Sequence, residues 1–518
     1  MKLKDLLFPV LLAFITVFAI QYFFFSGKKT QNDNGEVISG QSFVAPKTRQ
    51  ETRPLNKEVD FIDEKRPGPI TKTKVETDLA SFVFSSDGAS IDRLVFKGDL
   101  GNKMKALGTI FPVPSTEREN RCLLLALREK TPYYYTFVGK EEAESWVKVN
   151  YKYDSPNSDF IIHKTFIVYK KTHKLDLAFE IIPKKKLENG FEARLSFPSP
   201  LMPELGKDDM ISAVVVNEKG SVQKTLKSKL DDQRYWVNPK LIGTDSKYFV
   251  HVMIEDAKRF AQRSYYRAGD RNMLFSILES PVVKEKSAWS LSFYFGPKED
   301  KAMAVVDPRL EKTLEYSGIL APIAKFLLFL LKFLHKYLRN YGLAIIILTL
   351  LIKLLLLPFS IKGEKGMKQR VEFQKKLDYI QKKYKHDKVT LARERAELIK
   401  KHGMPGLGGC LPLFLQLPIF FALTRVLGSS VELYNAPFLW IPDLSAKDPY
   451  YILPILIAGC MLIQAATTDP KQRTTILVMA LVFGAISSSF SAGLALYIFS
   501  SVLLGLLQTF LIKRFKLS

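Results

Sequence analysis

Residues Tyr341 to Phe359 read YGLAIIILTLLIKLLLLPF, an almost unbroken apolar run with one charged residue, Lys353. At about 1.5 Å of rise per residue, a helix of this length just crosses a hydrocarbon core of roughly 30 Å. The stretch therefore predicts a membrane span. An ammonium inside a membrane is costly unless it reaches the interface, finds partners or faces water, so the function of this span depends on the surroundings of Lys353.

The composition is that of a membrane protein with a soluble insert. Of the 518 residues, 47% are hydrophobic, and these concentrate at the N-terminus and beyond residue 317. The formal charge of +24 would suit nucleic acid, but the basic residues cluster beside apolar segments, where the positive-inside rule explains many of them. We therefore predict no DNA partner and leave ribosome contact open. The three cysteines lack metal-ligand spacing, so no metal or cofactor is predicted.

The first 300 residues predict an anchor, a linker and a β-domain. Residues 6–25 form an apolar run that is longer than the core of a signal peptide and is not followed by an A-x-A-like cleavage site, which favours a retained anchor over a cleaved signal. Residues 27–75 are polar and predict a flexible extracytoplasmic linker. From 76 to 300, apolar and polar residues alternate between turn signals, as in FIIHKTFIVY at 160–169. This alternation predicts an antiparallel β-sandwich.

Residues 317–340 predict an amphipathic helix on the outer membrane surface. Its basic residues fall on one helical stripe, namely Lys325, Lys332, Lys336 and Arg339. A crossing here would place the very basic segment 362–410 outside, against the positive-inside rule. That segment has two helical stripes around a break near His386 and Asp387, and it predicts a cytoplasmic helical hairpin.

Four further apolar segments complete the predicted topology; they begin at Leu411, Tyr450, Thr474 and Ala492. The loop 467–473 is basic and the loop 431–449 is mainly acidic, which places the first inside and the second outside. With the anchor, we predict six spans and both termini in the cytoplasm. The predicted segments are the anchor 1–26, the linker 27–75, the β-sandwich 76–300, the surface helix 317–340, the second span 341–361, the hairpin 362–410, spans three to six at 411–514 and a short basic tail at 515–518.

Polar residues on several predicted spans lie at nearly the same depth. Lys353 is about 9 Å from the cytoplasmic end of its span. Glutamines on three other spans lie within about 3 to 8 Å of that side, namely Gln416, Gln464 and Gln508. In hydrocarbon each glutamine needs a partner, whereas around a wet cavity each is solvated. Thr349, one turn from Lys353 on the same face, adds to a hydrophilic pocket open to the cytoplasm. A snorkelling lysine without a function is the open alternative.

The spans predict no enzyme. The segment 341–359 and the later spans contain no Asp or Glu, and the chain has no H-E-x-x-H sequence, no Walker A loop and no G-x-G-x-x-G fingerprint. Aspartyl and zinc intramembrane proteases are therefore disfavoured.

Four strings carry a resemblance to a known family: GMPGLGGCLPLFLQLPIFFAL at 403–423, SVELYNAPFLWIPDLSAKDPYYILPIL at 430–456, TDPKQR at 468–473 and SAGLALYIFS at 491–500. They closely resemble the bacterial YidC membrane protein insertases. The layout of anchor, periplasmic β-sandwich, surface helix and five core spans is similar to that of the Gram-negative members. The resemblance implies an α-helical polytopic protein of the cell inner membrane that inserts and helps to fold newly made membrane proteins without ATP hydrolysis.

The resemblance also implies roles for individual residues. In this family the second span carries a positive residue, usually arginine, inside a groove that is open to cytoplasm and lipid and closed outward, and Lys353 stands at that position. Substrate-contacting residues of the family match Thr349 and Tyr497, while Gln416 and Gln508 join the groove by their depth. The implied partners are nascent membrane proteins and membrane lipids. The Sec translocon with its accessory proteins, and a ribosome at the hairpin, are open candidates.

Two functions of other classes stay open. A small-anion transporter would use Lys353 as its anion site, but transporters commonly contain paired repeats, and we find none among these spans. A membrane-anchored periplasmic scaffold would depend on residues 76–300, whereas an insertase would depend on the spans.

Overall fold

The structure is a computed structural model that describes residues 54–97, 107–127, 130–156, 158–185, 187–201, 211–217, 220–270, 272–313, 321–402, 411–466 and 470–515. The described residues divide into two compact units, with the boundary between Leu314 and Glu315. We call the described residues 54–313 the β-domain and the described residues 321–515 the helical unit. The predicted anchor 1–26 lies outside the described residues.

The described residues of the β-domain form eighteen strands in three antiparallel sheets. The strands are β1 Lys72–Glu76, β2 Ala80–Ser85, β3 Ser90–Phe96, β4 Leu107–Ile110, β5 Leu124–Leu127, β6 Thr136–Glu142, β7 Trp146–Asp154, β8 Phe160–Tyr169, β9 Lys174–Pro183, β10 Phe191–Pro198, β11 Ser212–Val216, β12 Val222–Leu226, β13 Tyr235–Val237, β14 Leu241–Asp245, β15 Phe249–Asp256, β16 Arg263–Ala268, β17 Leu274–Val283 and β18 Ser287–Pro297. The sheet orders are β1-β2-β3-β4, β13-β16-β17-β10-β5 and β12-β11-β14-β15-β18-β9-β8-β7-β6. A short helix, α1 (Asp300–Val306), follows the last strand.

One face of the nine-stranded sheet is covered by both smaller sheets. The ring of Phe166 in β8 lies 4.8 Å from that of Phe84 in β2, which belongs to the four-stranded sheet. In β18 the ring of Phe293 lies 5.4 Å from that of Phe197 in β10 of the five-stranded sheet. Alternate residues of β7, β8 and β9 are buried, as a half-buried strand requires. The predicted antiparallel β-sandwich is confirmed.

The predicted flexible linker extends too far along the chain. β1 begins at Lys72 rather than after residue 75, and the preceding segment is bonded to the sheets. The Ile62 amide donates to the Thr131 carbonyl at 3.0 Å, and the Tyr153 hydroxyl donates to Glu64 at 3.1 Å. Polar composition does not exclude such docking, because backbone groups and charged side chains make these bonds. Residues 27–53 lie outside the described residues.

The described helical unit consists of α2 Ala321–Leu338, α3 Tyr341–Lys383, α4 Lys388–His402, α5 Leu411–Ser429, α6 Ile452–Ala466, α7 Pro470–Ser487 and α8 Ala492–Phe515. Helix α3 packs on α2, α5 and α8, and α6 packs on both α7 and α8. Two helical stretches in the described part of the chain are long and apolar enough to cross a bilayer, namely Tyr341–Ile361 and Ala492–Leu511. The apolar helices Gln416–Gly428, Ile452–Ala466 and Ile476–Ser487 are shorter, so the count of six spans stays a prediction.

The predicted second span and the first arm of the hairpin are one helix. α3 continues without a break past residue 361, where the sequence predicted a boundary between span and hairpin. Nothing in helix geometry requires a break where the composition changes from apolar to basic. The predicted break near His386 and Asp387 is confirmed, because α3 ends at Lys383 and the Asp387 carboxylate accepts from the first amides of α4.

Helix α2 lies within the segment 317–340 that was predicted to be helical, and it ends at Leu338; residues 317–320 lie outside the described residues. Its buried face consists of Ala324, Leu327, Leu328 and Leu331, and an exposed aromatic stripe lies opposite, with Phe326, Phe329, Phe333 and Tyr337. The predicted basic stripe is not purely solvent-facing, because Lys332 forms an ion pair of 2.6 Å with buried Glu432. The aromatic stripe suits a membrane interface, where rings with an apolar body are favourable.

Candidate functional site

Lys353 lies on α3 facing α8. Its side chain is half-buried, and an ideal Cβ on Gly505 of α8 would lie 4.0 Å from its Nζ. Within the described residues the ammonium makes no hydrogen bond and no ion pair. Gly505 has no side chain, so it leaves open space next to the lysine. The ammonium is thus enclosed by two helices and lacks a partner from the described protein.

A polar stripe on α8 runs past this lysine. Its members are spaced four, four and three residues apart, which places them on one helical face: Tyr497, Ser501, Gly505 and Gln508. The side-chain amide of Gln416 on α5 donates to the Ser501 hydroxyl at 2.9 Å. Helices α3, α5 and α8 therefore each contribute polar groups to one region, which we call the Lys353 cluster: Lys353, Gln416, Ser501, Gly505 and Gln508.

Two predicted groove residues are enclosed rather than open. Thr349 is 1% exposed, and its hydroxyl donates to the Ile345 carbonyl one turn earlier, at 2.7 Å. Tyr497 is 2% exposed; its hydroxyl makes no hydrogen bond of regular geometry within the described residues, but the Gln416 side chain lies beside it. Gln508 is half-buried at the far end of the stripe, and Gln464 is half-buried on α6. The structure thus brings Gln416 to Ser501 and Tyr497 on the stripe, while Thr349 lies inside the packing.

Sequence reasoning missed Ser501 and Gly505. Both follow from the spacing that connects Tyr497 and Gln508 on one helix, so the period of 3.6 residues already contained the signal. Ser501 has a small, uncharged side chain and Gly505 has none, so neither is conspicuous in an apolar helix. Their importance comes from the neighbouring helices, whose positions the sequence does not give.

The loop between α5 and α6 closes one end of the bundle. Its Phe438 ring occupies the space that a Cβ on Gly342, in the first turn of α3, would take. The amide of Gly493, near the start of α8, donates to the Leu444 carbonyl of the loop at 2.7 Å. Gly342 is eleven residues from Lys353, or about 17 Å along the helix. This closed end is therefore well separated from the Lys353 cluster.

An aspartate fixes the shape of this loop. The Asp448 carboxylate accepts hydrogen bonds from the Trp440 indole at 3.3 Å and from the Leu453 amide, at the start of α6, at 2.7 Å. It is buried, at 5% exposed. The closure is therefore an ordered element and not a loose connection.

Comparisons with known proteins cover both units. The family model described as the YidC periplasmic domain matches residues 72–330, and the model described as the 60Kd inner membrane protein matches residues 333–518. A membrane protein insertase YidC from Citrifermentans bemidjiense is 31% identical over 455 residues, which cover 82% of this chain and 82% of the relative. The chain belongs to the YidC family of membrane protein insertases. It is therefore an inner-membrane protein with a periplasmic domain, from a family of insertases and not of enzymes.

A second relative matches over about half of the chain, and one solved structure matches over most of it. A membrane protein insertase YidC from a Geobacter species is 39% identical over 288 residues, so that the match covers 52% of this chain and about half of the relative, at 53%. A solved structure described as an active YidC insertase with the first transmembrane domain resolved covers 87% of this chain and 94% of its own, with 16% identity and a TM-score of 0.38.

Proposed function

We propose that this member of the YidC family inserts newly made membrane proteins, and helps them to fold, through a hydrophilic groove around Lys353 that is open to cytoplasm and lipid. The observation that carries the proposal is the ammonium of Lys353, which has no partner among the described residues although two helices enclose it. A charge left in such a place needs water or a transient ligand. The nascent membrane protein supplies that ligand.

The substrate passes in two parts. Its short hydrophilic tail, when acidic, is attracted by Lys353, and two unit charges 4 Å apart attract by about 4 kcal/mol at an effective dielectric constant near 20. The polar groups of Gln416 and Ser501 line the same region and shorten the apolar distance that the tail crosses. The apolar helix of the substrate meanwhile moves into lipid. This transfer is driven by burial of apolar surface and needs no ATP hydrolysis.

The closed end formed by Phe438 and Gly342 supports a groove that opens on one side only. In the proposed topology, this end faces the periplasm and both termini face the cytoplasm, with six spans in total. A half-open groove admits water to the charge without joining the two compartments. The basic hairpin of α3 and α4 is then on the side where nascent chains arrive, and it is the proposed contact for a ribosome; the Sec translocon is a further proposed partner.

The decisive test measures insertion of a short substrate with an acidic N-terminal tail by Lys353→Ala, at matched expression. We expect at least a roughly tenfold loss, because removing one charge-assisted contact costs about 1.5 to 3 kcal/mol. Lys353→Arg should keep most of the activity, since it keeps the charge. Lys336→Ala, which removes an exposed lysine of α2, is the matched control and should change little. Full insertion by Lys353→Ala would contradict the electrostatic role.

A further inference from the structure

We infer that the β-domain contains a binding site for an extended acidic peptide, at a pocket whose base is Arg194. The pocket has a volume of about 600 Å³ and lies between residues 54–58 and the strands β10, β16 and β17. It is a feature of the β-domain alone, so the inference is independent of the Lys353 groove. The pocket lining contains both acidic and basic side chains, and most of them are paired with each other.

Three charged residues stand in one cross-strand row along this face. Arg263 of β16 is paired with Glu279 of β17, and Glu279 is paired in turn with Arg194 of β10. Neighbouring side chains in such a row lie close enough to interact directly. The row therefore places one carboxylate between two guanidinium groups.

The carboxylate in this row is already occupied. Arg263 donates from Nε to Glu279 Oε1 at 3.0 Å, and its Nη2 lies 2.7 Å from the same oxygen. The other oxygen, Oε2, accepts from the Tyr265 hydroxyl at 3.1 Å. Glu279 is thus bound on both sides, and it forms no ion pair with Arg194.

Arg194 is left as a buried cation without an anion. It is 4% exposed, and no carboxylate of the described residues lies within 4 Å of it. Its only hydrogen bonds there run from Nη1 to the carbonyls of Asn56 and Glu58, at 2.7 and 2.9 Å. A guanidinium has five N–H donors, so those on Nε and Nη2 remain for a ligand. A buried unpaired charge is strongly unfavourable, which points to an anionic ligand.

The pairing of β10 with β17 is irregular beside Arg194. Glu192 pairs with Val282 and Arg194 pairs with Glu279, so β17 contains one extra residue between these two pairs. Irregularities of this kind recur beside binding sites. Glu192 and Arg194 both line the pocket next to this irregularity.

The remaining lining favours a peptide over a bare anion. Glu58, Glu192 and Asp232 would repel a ligand that carried only negative charge, whereas a peptide also brings N–H donors. The site already holds extended backbone, because Arg194 and the Tyr265 hydroxyl both donate to the Asn56 carbonyl, at 2.7 and 2.6 Å. A glutamate or aspartate side chain of the bound peptide would complete the ion pair that Arg194 lacks.

The test uses the full-length protein in detergent and a fluorescent, end-blocked pentapeptide that contains two glutamates. We expect saturable binding by anisotropy. The same peptide with glutamines should bind about 10- to 100-fold more weakly, as should the acidic peptide to Arg194→Gln. Arg267→Gln is the matched control, since it removes a half-buried arginine of β16 whose hydrogen bonds go to Glu119 and Asn120 and which does not line the pocket. Its affinity should stay within about twofold.

Each other outcome contradicts the inference. Equal binding of the glutamate and glutamine peptides would exclude carboxylate recognition, and absence of binding to the wild-type protein would exclude the site. Competition by free glutarate as strong as that by the peptide would make it a small-carboxylate site instead. If Arg194→Gln does not fold, Lys57→Gln at the partly exposed rim replaces it, with an expected loss of about threefold. No loss in that variant would count against the charge lining.

Discussion

Lys164 lies inside the β-domain and Lys353 inside the helical unit, and their ammonium groups differ in the partners that they have. Lys164, in β8, is fully buried, and its Nζ donates to the carbonyls of Gly88, at 3.2 Å, and Leu123. Lys353 is half-buried and has no hydrogen bond or ion pair within the described residues. Burial alone therefore does not mark a functional lysine. The proposed groove rests instead on enclosure without a partner, which leaves the charge for something that arrives from outside.

The two surroundings have different consequences. In the β-domain, burial lowers the pKa of Lys164 to about 7. Burying the charged lysine therefore lowers the free energy of unfolding by an amount that depends on pH. In the helical unit, the open space at Gly505 keeps room beside Lys353. The first is a structural lysine, and the second belongs to the proposed groove. Three predictions test this division, from the largest expected effect to the smallest.

The largest effect concerns the pH dependence of the β-domain. The folded pKa of Lys164, about 7, lies below the ordinary value of 10.5, so the unfolded chain binds more protons between these pH values and stability rises with pH. This lysine should contribute up to about 1.4 kcal/mol per pH unit in that window, and nothing below it. Urea unfolding of the full-length protein, followed by tryptophan fluorescence, measures the slope. Lys164→Met should lose this part of the slope; equal slopes in both proteins would show that Lys164 is not held in the core.

A smaller effect is expected from filling the space beside Lys353. Gly505→Leu should lower insertion of an acidic-tail substrate by about fivefold or more, because a leucine in that open space takes water and ligand away from the ammonium, at a cost of about 1 kcal/mol or more. Gly459→Leu is the matched control: it adds the same side chain to α6, where nothing lies within 4 Å of a Cβ. Insertion should be unchanged in that variant. Similar losses in both would mean that added bulk, and not the site beside Lys353, is responsible.

The smallest effect concerns a lysine of the helical unit that does have a partner. The ion pair between Lys332 and Glu432 should show a coupling of about 1 kcal/mol in a double-mutant cycle of thermal unfolding, since Glu432 is buried and Lys332 only partly so. Lys332→Ala should leave insertion almost unchanged at matched protein level. A tenfold loss of insertion by Lys332→Ala would contradict the view that a lysine with an ion-pair partner has only a structural role in this protein.

Much of the fold could be predicted because its signals are local. The period of two in FIIHKTFIVY gives β8 at Phe160–Tyr169, and the apolar run from Tyr341 gives the first part of α3. The docked segment before β1 could not be predicted, since its bonds reach residues as distant as Thr131 and Tyr153. The composition of the segment itself does not indicate such distant partners.

The candidate site divides in the same way. Depth counting along the spans predicted Lys353, Gln416 and Gln508 as groove residues, because helical rise converts sequence distance directly into depth. It did not find that Thr349 is enclosed, since the side that a residue presents depends on which helix packs there. The pocket at Arg194 was missed entirely, because its unpaired charge is defined by the register of three strands.

The most direct test of the account asks whether water reaches Lys353 from one side only. Single cysteines replace Lys353, Gln508 and Thr349 in a background without Cys122, Cys410 and Cys460, and an impermeant thiol reagent is added to vesicles of either orientation. If the groove is half-open, positions 353 and 508 react from the cytoplasmic side and not from the periplasmic side, while buried position 349 reacts far more slowly. Protection of position 353 from the cytoplasmic side, or reaction from both sides, would contradict the half-open groove.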